Sequence, residues 1–223
     1  MAVGQDPNVA ANLWAIGEVA TGATRALHTV QKPIPASIGH YRTSVVITMA
    51  VSQAVNSRLF EVRNTSTNLI IPTRIRIGFL PTGTITTSYA FTLGLFKVTA
   101  FTAVDTVNTV TPTTSVKRTT GMTAYPGNAN VRHVTLAGAA AGMTGWTGTK
   151  DANALAQMIA WAATAGASTI PTYQEFEDDQ NGTYPLICAQ NEGFELENII
   201  VGSATANACQ VMLDVSWAEV SAY

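Results

Sequence analysis

The densest group of ligand-type side chains in the sequence is the run Glu175-Phe176-Glu177-Asp178-Asp179-Gln180-Asn181-Gly182. Hard cations such as Ca²⁺ take six to eight oxygen ligands, and Glu177, Asp178, Asp179 and Asn181 form a candidate metal set. The spacing is not that of an EF-hand loop, where ligands fall at alternate positions before a distant Glu. Paired carboxylates could also serve glycoside hydrolysis, with Tyr173, Phe176 and Tyr184 as the only aromatic platforms nearby in sequence. The simplest reading is a solvated acidic loop. The three histidines, His28, His40 and His133, are far apart and in no metal-ligand spacing, so none is expected to act as a ligand or catalyst. Cys188 and Cys209 read as reduced residues on strands rather than as a disulfide or a nucleophile. No GxSxG, GxGxxG or GxxxxGK[ST] pattern occurs, and the glycines of 142–148 precede no Lys-Ser or Lys-Thr. The chain is therefore expected to be no enzyme and to need no cofactor.

The elements around these residues read as β. From Cys209, Val211, Leu213, Val215 and Trp217 point one way, while Gln210, Met212, Asp214, Ser216 and Ala218 point the other. A period of two with one apolar side is a half-buried strand. Val45, Ile47, Met49 and Val51 alternate in the same manner. Leu59–Arg63 gives a second strand, and the polar turn Asn64–Asn68 follows. Ile71, Thr73, Ile75, Ile77 and Phe79 form one face of a third, with Arg74 and Arg76 opposite. Tyr89–Phe101 is a long apolar strand whose Gly94 suggests a bulge or a close backbone approach. Residues 102–130 read as loops and edge strands, Val131–Leu136 as a short strand, and 137–148 as a small, flexible stretch. Asn191-Glu192-Gly193-Phe194 reads as a turn between strands. Asp151–Ala165 is the helical candidate, with Asp151 as N-cap, an apolar stripe at Leu155, Met158, Ile159 and Ala162, and Gly166 to stop it.

Eight to ten short strands with at most one or two short helices indicate an all-β protein, a sandwich of jelly-roll type. Residues 1–36 carry few core signals and read as an extended N-terminal arm, with a short helix possible at Val9–Ile16. Residues 37–223 read as a single sandwich domain, since all-β domains of this size are common as one unit. The arm and loops supply the candidate interface residues Trp14, Arg25, Lys117, Arg118 and Trp146; an aromatic or Arg anchor in such a segment suits docking.

Charged residues make up 12% of the chain, about half the usual share. They are also unevenly placed. Between Arg63 and Lys150 stand eight basic residues and one acid, Asp105, whereas Asp151 onward holds ten acids and no Lys or Arg. Either the two segments supply different strands of one sandwich and neutralise each other, or they form complementary faces that meet between subunits. The basic residues are scattered without interleaved aromatics, so direct nucleic-acid binding is not expected. With no apolar run of about 18 residues, no membrane span is expected. The N-terminus lacks a basic n-region and an apolar h-region, which points to synthesis and assembly in a cytoplasm.

Three stretches say more than their periodicity. Tyr184-Pro185-Leu186, Ala189-Gln190-Asn191-Glu192-Gly193-Phe194 and Ser216-Trp217-Ala218-Glu219-Val220 resemble the ending of a group of tailed-bacteriophage virion proteins. Ile38-Gly39-His40-Tyr41-Arg42 and Ser57-Arg58-Leu59-Phe60-Glu61-Val62-Arg63 resemble the early strands of the same group. The similarity spans roughly 36–80 and 183–220. It implies a structural virion component assembled in the host cytoplasm: a capsid decoration (cement) or accessory head protein. The alternative is a tail, collar or fibre-associated module that binds a receptor or carbohydrate. Its partners would be other virion proteins, the major capsid protein or tail and collar proteins, and further copies of itself in a homo-oligomer. The resemblance supplies no active-site residue.

Overall fold

The architecture follows from a computed structural model, which describes residues 37–50, 52–81, 89–112, 116–117, 130–134, 140–162, 172–176, 186–200 and 209–221. All of them fall within one unit, Ile34–Tyr223. Trp14, Arg25, Arg118, Glu177, Asp178, Asp179 and Asn181 lie outside the described residues, as do the 1–36 segment and the Val9–Ile16 helix expected within it.

Among the described residues, twelve strands form two antiparallel sheets. The first contains β1 (Ser37–Met49), β3 (Leu69–Pro81), β6 (Val116–Lys117), β10 (Thr172–Phe176) and β12 (Cys209–Val220), in the order β10-β3-β12-β1-β6. The second contains β2 (Ser57–Arg63), β4 (Tyr89–Ala103), β5 (Thr109–Val110), β7 (Val131–Val134), β8 (Thr147–Lys150), β9 (Ala156–Ala162) and β11 (Gly193–Asn198). Its order is β5-β7-β2-β11-β4-β8, and β9 pairs with the other end of β4. The inner faces share one core. Tyr41, Val45, Ile47, Ile75, Ile77, Phe79, Val211, Leu213, Val215 and Trp217 of the first sheet meet Phe60, Val62, Phe91, Leu93, Leu95, Phe194 and Leu196 of the second. The all-β, sandwich-like expectation therefore holds.

Strand β12 is central to its sheet, hydrogen-bonded to β1 on one side and β3 on the other. Its alternation is as the sequence predicts: Val211, Leu213, Val215 and Trp217 are buried, while Met212 and Asp214 are exposed. In β3 the expected single face breaks once. Opposite β12, Ser216 pairs with Arg74 but Trp217 pairs with Pro72, so Thr73 is an extra residue. Such a bulge reverses side-chain parity beyond it. Ile71 consequently leaves the core face and joins Ala218 and Val220 in a separate small cluster, and Ile70 takes its place inside. Gly94 reflects a close approach: a Cβ there would lie 2.7 Å from the Phe96 ring and 2.9 Å from Ile199 Cγ2.

The helix expected over Asp151–Ala165 is not formed. Among the described residues there is no α-helix, and Ala156–Ala162 is instead β9, paired with Tyr89–Leu95 of β4. The segment Ala156-Gln157-Met158-Ile159 also satisfies a period of two: Met158 is buried, Ala156 packs against the core and Ile159 is 51% exposed. Seven residues cannot separate the two periods by pattern, and hydrogen bonds to an available strand outweigh the weak helical preference of Ala. The stretch before it is also more structured than its composition suggests. Met143 is buried in the core, Thr144 bridges to Val107, and β8 pairs with β4.

Candidate functional site

The outer face of the second sheet holds a group of charged side chains, most of them withdrawn from water. Strand β2 places Glu61 and Arg63 there, alternating with the core residues Phe60 and Val62; β11 places Glu195 and Glu197 there, alternating with Phe194 and Leu196. A bulge at Leu59 brings Arg58 onto the same side, opposite Glu197. Glu61, Arg63 and Glu195 are fully buried, and Glu197 is 1% exposed. The cover comes from β8 and the loops beside it, chiefly Asp105, Trp146 and Lys150.

Within this group the charges alternate. One nitrogen of Arg63, Nη2, lies 2.7 Å from Glu61 Oε2 and 2.7 Å from Glu195 Oε2. Lys150 Nζ lies 3.6 Å from Glu195 Oε1 and pairs with Glu197 Oε2. The row reads Glu61, Arg63, Glu195, Lys150, Glu197. Beside it stands a closed pair: Arg58 Nε donates to Asp105 Oδ2 (2.8 Å) and Arg58 Nη2 to Asp105 Oδ1 (2.9 Å). The backbone N–H of Trp146 donates to Asp105 Oδ1 at 3.1 Å, and that of Asp105 donates to Glu61 Oε1 at 3.3 Å. Aromatic rings complete the enclosure. The Trp146 ring lies 4.9 Å from the Arg58 guanidinium carbon and 5.1 Å from that of Arg63; Phe101 is 5.9 Å from Arg63, and Phe96 is 4.3 Å from Lys150 Nζ. Cation–π contact of this kind partly replaces lost hydration.

Burial pushes the Glu61 carboxyl up to about 7; Arg63 opposes the rise, and the charges of Asp105 and Glu195 add to it. Burial likewise pushes Glu197 up to about 7, with the neighbouring Glu195 charge adding and Lys150 opposing. Glu197, Lys150 and Arg58 also line a cleft of about 440 Å³ together with Asn56, Phe96 and Asp151. The row thus has a route to solvent at one end.

The sequence-predicted residues take other places. Trp146 is half-buried, and its ring serves the two arginines. Lys117 sits on β6, the edge strand beside β1, in register with Tyr41. His133 is half-buried on β7, and burial lowers its pKa. Cys188 is fully buried and free, and burial raises its thiol to about 12, which suppresses the thiolate. Among the described residues no three His, Cys, Asp or Glu side chains are arranged to hold a metal ion.

Of the stretches that carry the resemblance, those around Tyr41, Asn191 and Glu219 converge at one end of the sandwich, while Tyr184 and Pro185 lie outside the described residues. Asn64 N–H donates to Glu192 O (2.8 Å) and Asn191 N–H to Asn64 O (2.7 Å); the Asn64 side chain donates to Asn68 O (2.7 Å) and Cys188 O (3.0 Å). Asn191 has φ 64°, a left-handed turn that Asn tolerates, and its carbonyl accepts from Phe101 N–H at 2.9 Å. Ala189 N–H donates to Glu192 Oε2 at 2.8 Å, and Lys97 Nζ is 3.4 Å from the same oxygen. Gly193 allows β11 to run against β2: a Cβ there would be 2.2 Å from Val62 O. From β12, buried Glu219 accepts from Asn68 Nδ2 (2.8 Å) and from Tyr41 Oη (3.3 Å). Tyr41 folds its ring over Gly39 and lies 6.0 Å from Trp217.

Compared with protein-family models and with curated proteins, the chain matches none.

Proposed function

We propose that the chain is a structural virion protein of a tailed bacteriophage, a capsid decoration (cement) or accessory head protein. It acts through contacts with other virion proteins and with further copies of itself. The observation that carries the reading is the convergence just described. The IGHYR, AQNEGF and SWAEV stretches, separate in sequence, meet around the Asn64–Asn68 turn and hold the two sheets together at that end. A resemblance confined to scaffold residues is what a shared sandwich framework would leave. The charge distribution supports the same reading. Lys97, Arg63 and Lys150 from the basic segment neutralise Glu192, Glu195 and Glu197 from the acidic one within the chain, so these groups serve the scaffold.

The experiment is removal of the protein from particles. Particles that adsorb normally but lose integrity on heating or in low salt bear out the proposal. Intact particles that fail to adsorb would instead assign the protein to a tail, collar or fibre with a receptor- or carbohydrate-binding role.

A further inference from the structure

We propose that the row Glu61, Arg63, Glu195, Lys150, Glu197 is a proton-operated latch, which fastens the strap of residues 143–151 onto the second sheet when protonated and loosens it when not. The proposal concerns this chain's own conformational equilibrium and does not depend on a virion role.

The geometry carries it in three steps. First, the row is over-full of acid. Three carboxyls face two cations, and each cation is shared: Arg63 Nη2 bridges Glu61 and Glu195, and Lys150 Nζ bridges Glu195 and Glu197. Arg58 also acts on Glu195 and Glu197, but Asp105 holds it bidentately, so with this pair counted four carboxyls share three cations. Like charges at such spacing are eased by retaining a proton, as in carboxylate pairs generally. The other charged groups near the row are Arg132, opposite Glu61 in the register of β7 and β2, Asp151 in the lining of the cleft, and Lys97 with Glu192 beside the start of β11.

Second, the strap supplies a large part of the row's cover, beside Asp105, Phe96 and Phe101. Trp146 lies over both guanidinium groups, Lys150 closes the Glu195–Glu197 end, and the backbone of Trp146 ties to Asp105, which ties to Glu61. Lifting 143–151 would hydrate the carboxyls and return Glu61 and Glu197 towards ordinary acidity. By linkage, a carboxyl that holds its proton more tightly in the closed state favours closure at low pH and opening at high pH. The upward displacement of Glu61 and Glu197 agrees in sign. Third, the cleft beside Glu197 and Lys150 gives protons access without prior opening.

The test is amide hydrogen exchange on the intact protein at pH 5.5 and 8.5, corrected for intrinsic rates. The reporters are the Met143, Trp146 and Asp151 amides, bonded to Arg58 O, Asp105 Oδ1 and Lys97 O. Their protection is expected to fall by at least about tenfold at the higher pH, the change given by one unit of pKa difference, while β1 and β12 amides stay constant. Glu197→Gln, which mimics the protonated acid, is expected to make that fall smaller and leave the part carried by Glu61. Unchanged protection in the wild type, or an equal fall in Glu197→Gln, overturns the latch. A carboxyl-carbon NMR titration of the wild type gives a second reading independent of any variant. Glu197 should titrate near neutrality together with Glu61, and a Glu197 carboxyl titrating in the ordinary carboxylate range would overturn the proposal.

Discussion

Arg63→Met tests the account of the buried row most severely. Met keeps much of the apolar stem but removes the guanidinium, whose Nη2 lies 2.7 Å from both Glu61 and Glu195. Removing one partner of a buried ion pair typically costs about 3–5 kcal/mol, because the remaining charge stays desolvated. Here the cost should depend on pH. The Glu61 carboxyl is already raised to about 7 by burial, with Arg63 holding it down. A raised acid contributes its full stability below its unfolded value and loses it as pH rises through the folded value. Without Arg63 the folded value climbs further, so the loss is larger and continues to higher pH. Urea unfolding followed by circular dichroism at pH 5 and pH 8 reads this directly. We expect the variant to lose about 1 kcal/mol at pH 5, where Glu61 can be neutral and mainly ring contacts are forfeited. At pH 8 the loss should be about 3–5 kcal/mol. An equal loss at the two pH values would refute the reasoning.

Other substitutions probe the scaffold. Trp217→Ala empties the largest fully buried position among the described residues and should cost about 3–5 kcal/mol, measured by the shift of the urea midpoint. Gly94→Ala must displace the Phe96 ring or Ile199 and should cost about 1–3 kcal/mol in the same assay. Asn191→Val forces a β-branched residue into φ 64° and should cost about 1–2 kcal/mol or more in thermal unfolding, whereas Asn191→Gly should be nearly neutral. Cys188 is free and its thiol is raised to about 12, so a disulfide-exchange reagent should label it only after denaturant is added.

Much of the sandwich is legible in the sequence because long strands with one buried face impose a period of two. Val211 to Trp217 and Val45 to Met49 show it without interruption. The bulge at Thr73 is not legible, since it depends on how β12 pairs with β3, and it moves Ile71 to another cluster. The 156–162 strand is misread because a short Ala-rich segment satisfies both periods, and the neighbouring β4 decides between them. The buried row is the larger omission. Glu195 and Glu197, like Glu61 and Arg63, alternate with core residues and look like the solvated side of a half-buried strand. The available signal lay on the neighbour: Phe96 and Val98 make the outer face of β4 apolar too, which implies that something covers it. Read with Trp146 on a nearby loop, that would have pointed to a buried outer face. The pairing of basic and acidic segments within one chain was legible as a possibility, and Arg63–Glu195 and Lys150–Glu195 realise it.

The proposed virion role is tested most directly by quantitative mass spectrometry of gradient-purified phage particles. The account predicts this protein in fixed stoichiometry with the major capsid protein, retained after washing. Its absence from purified particles, with abundant protein in the infected-cell lysate, would contradict it.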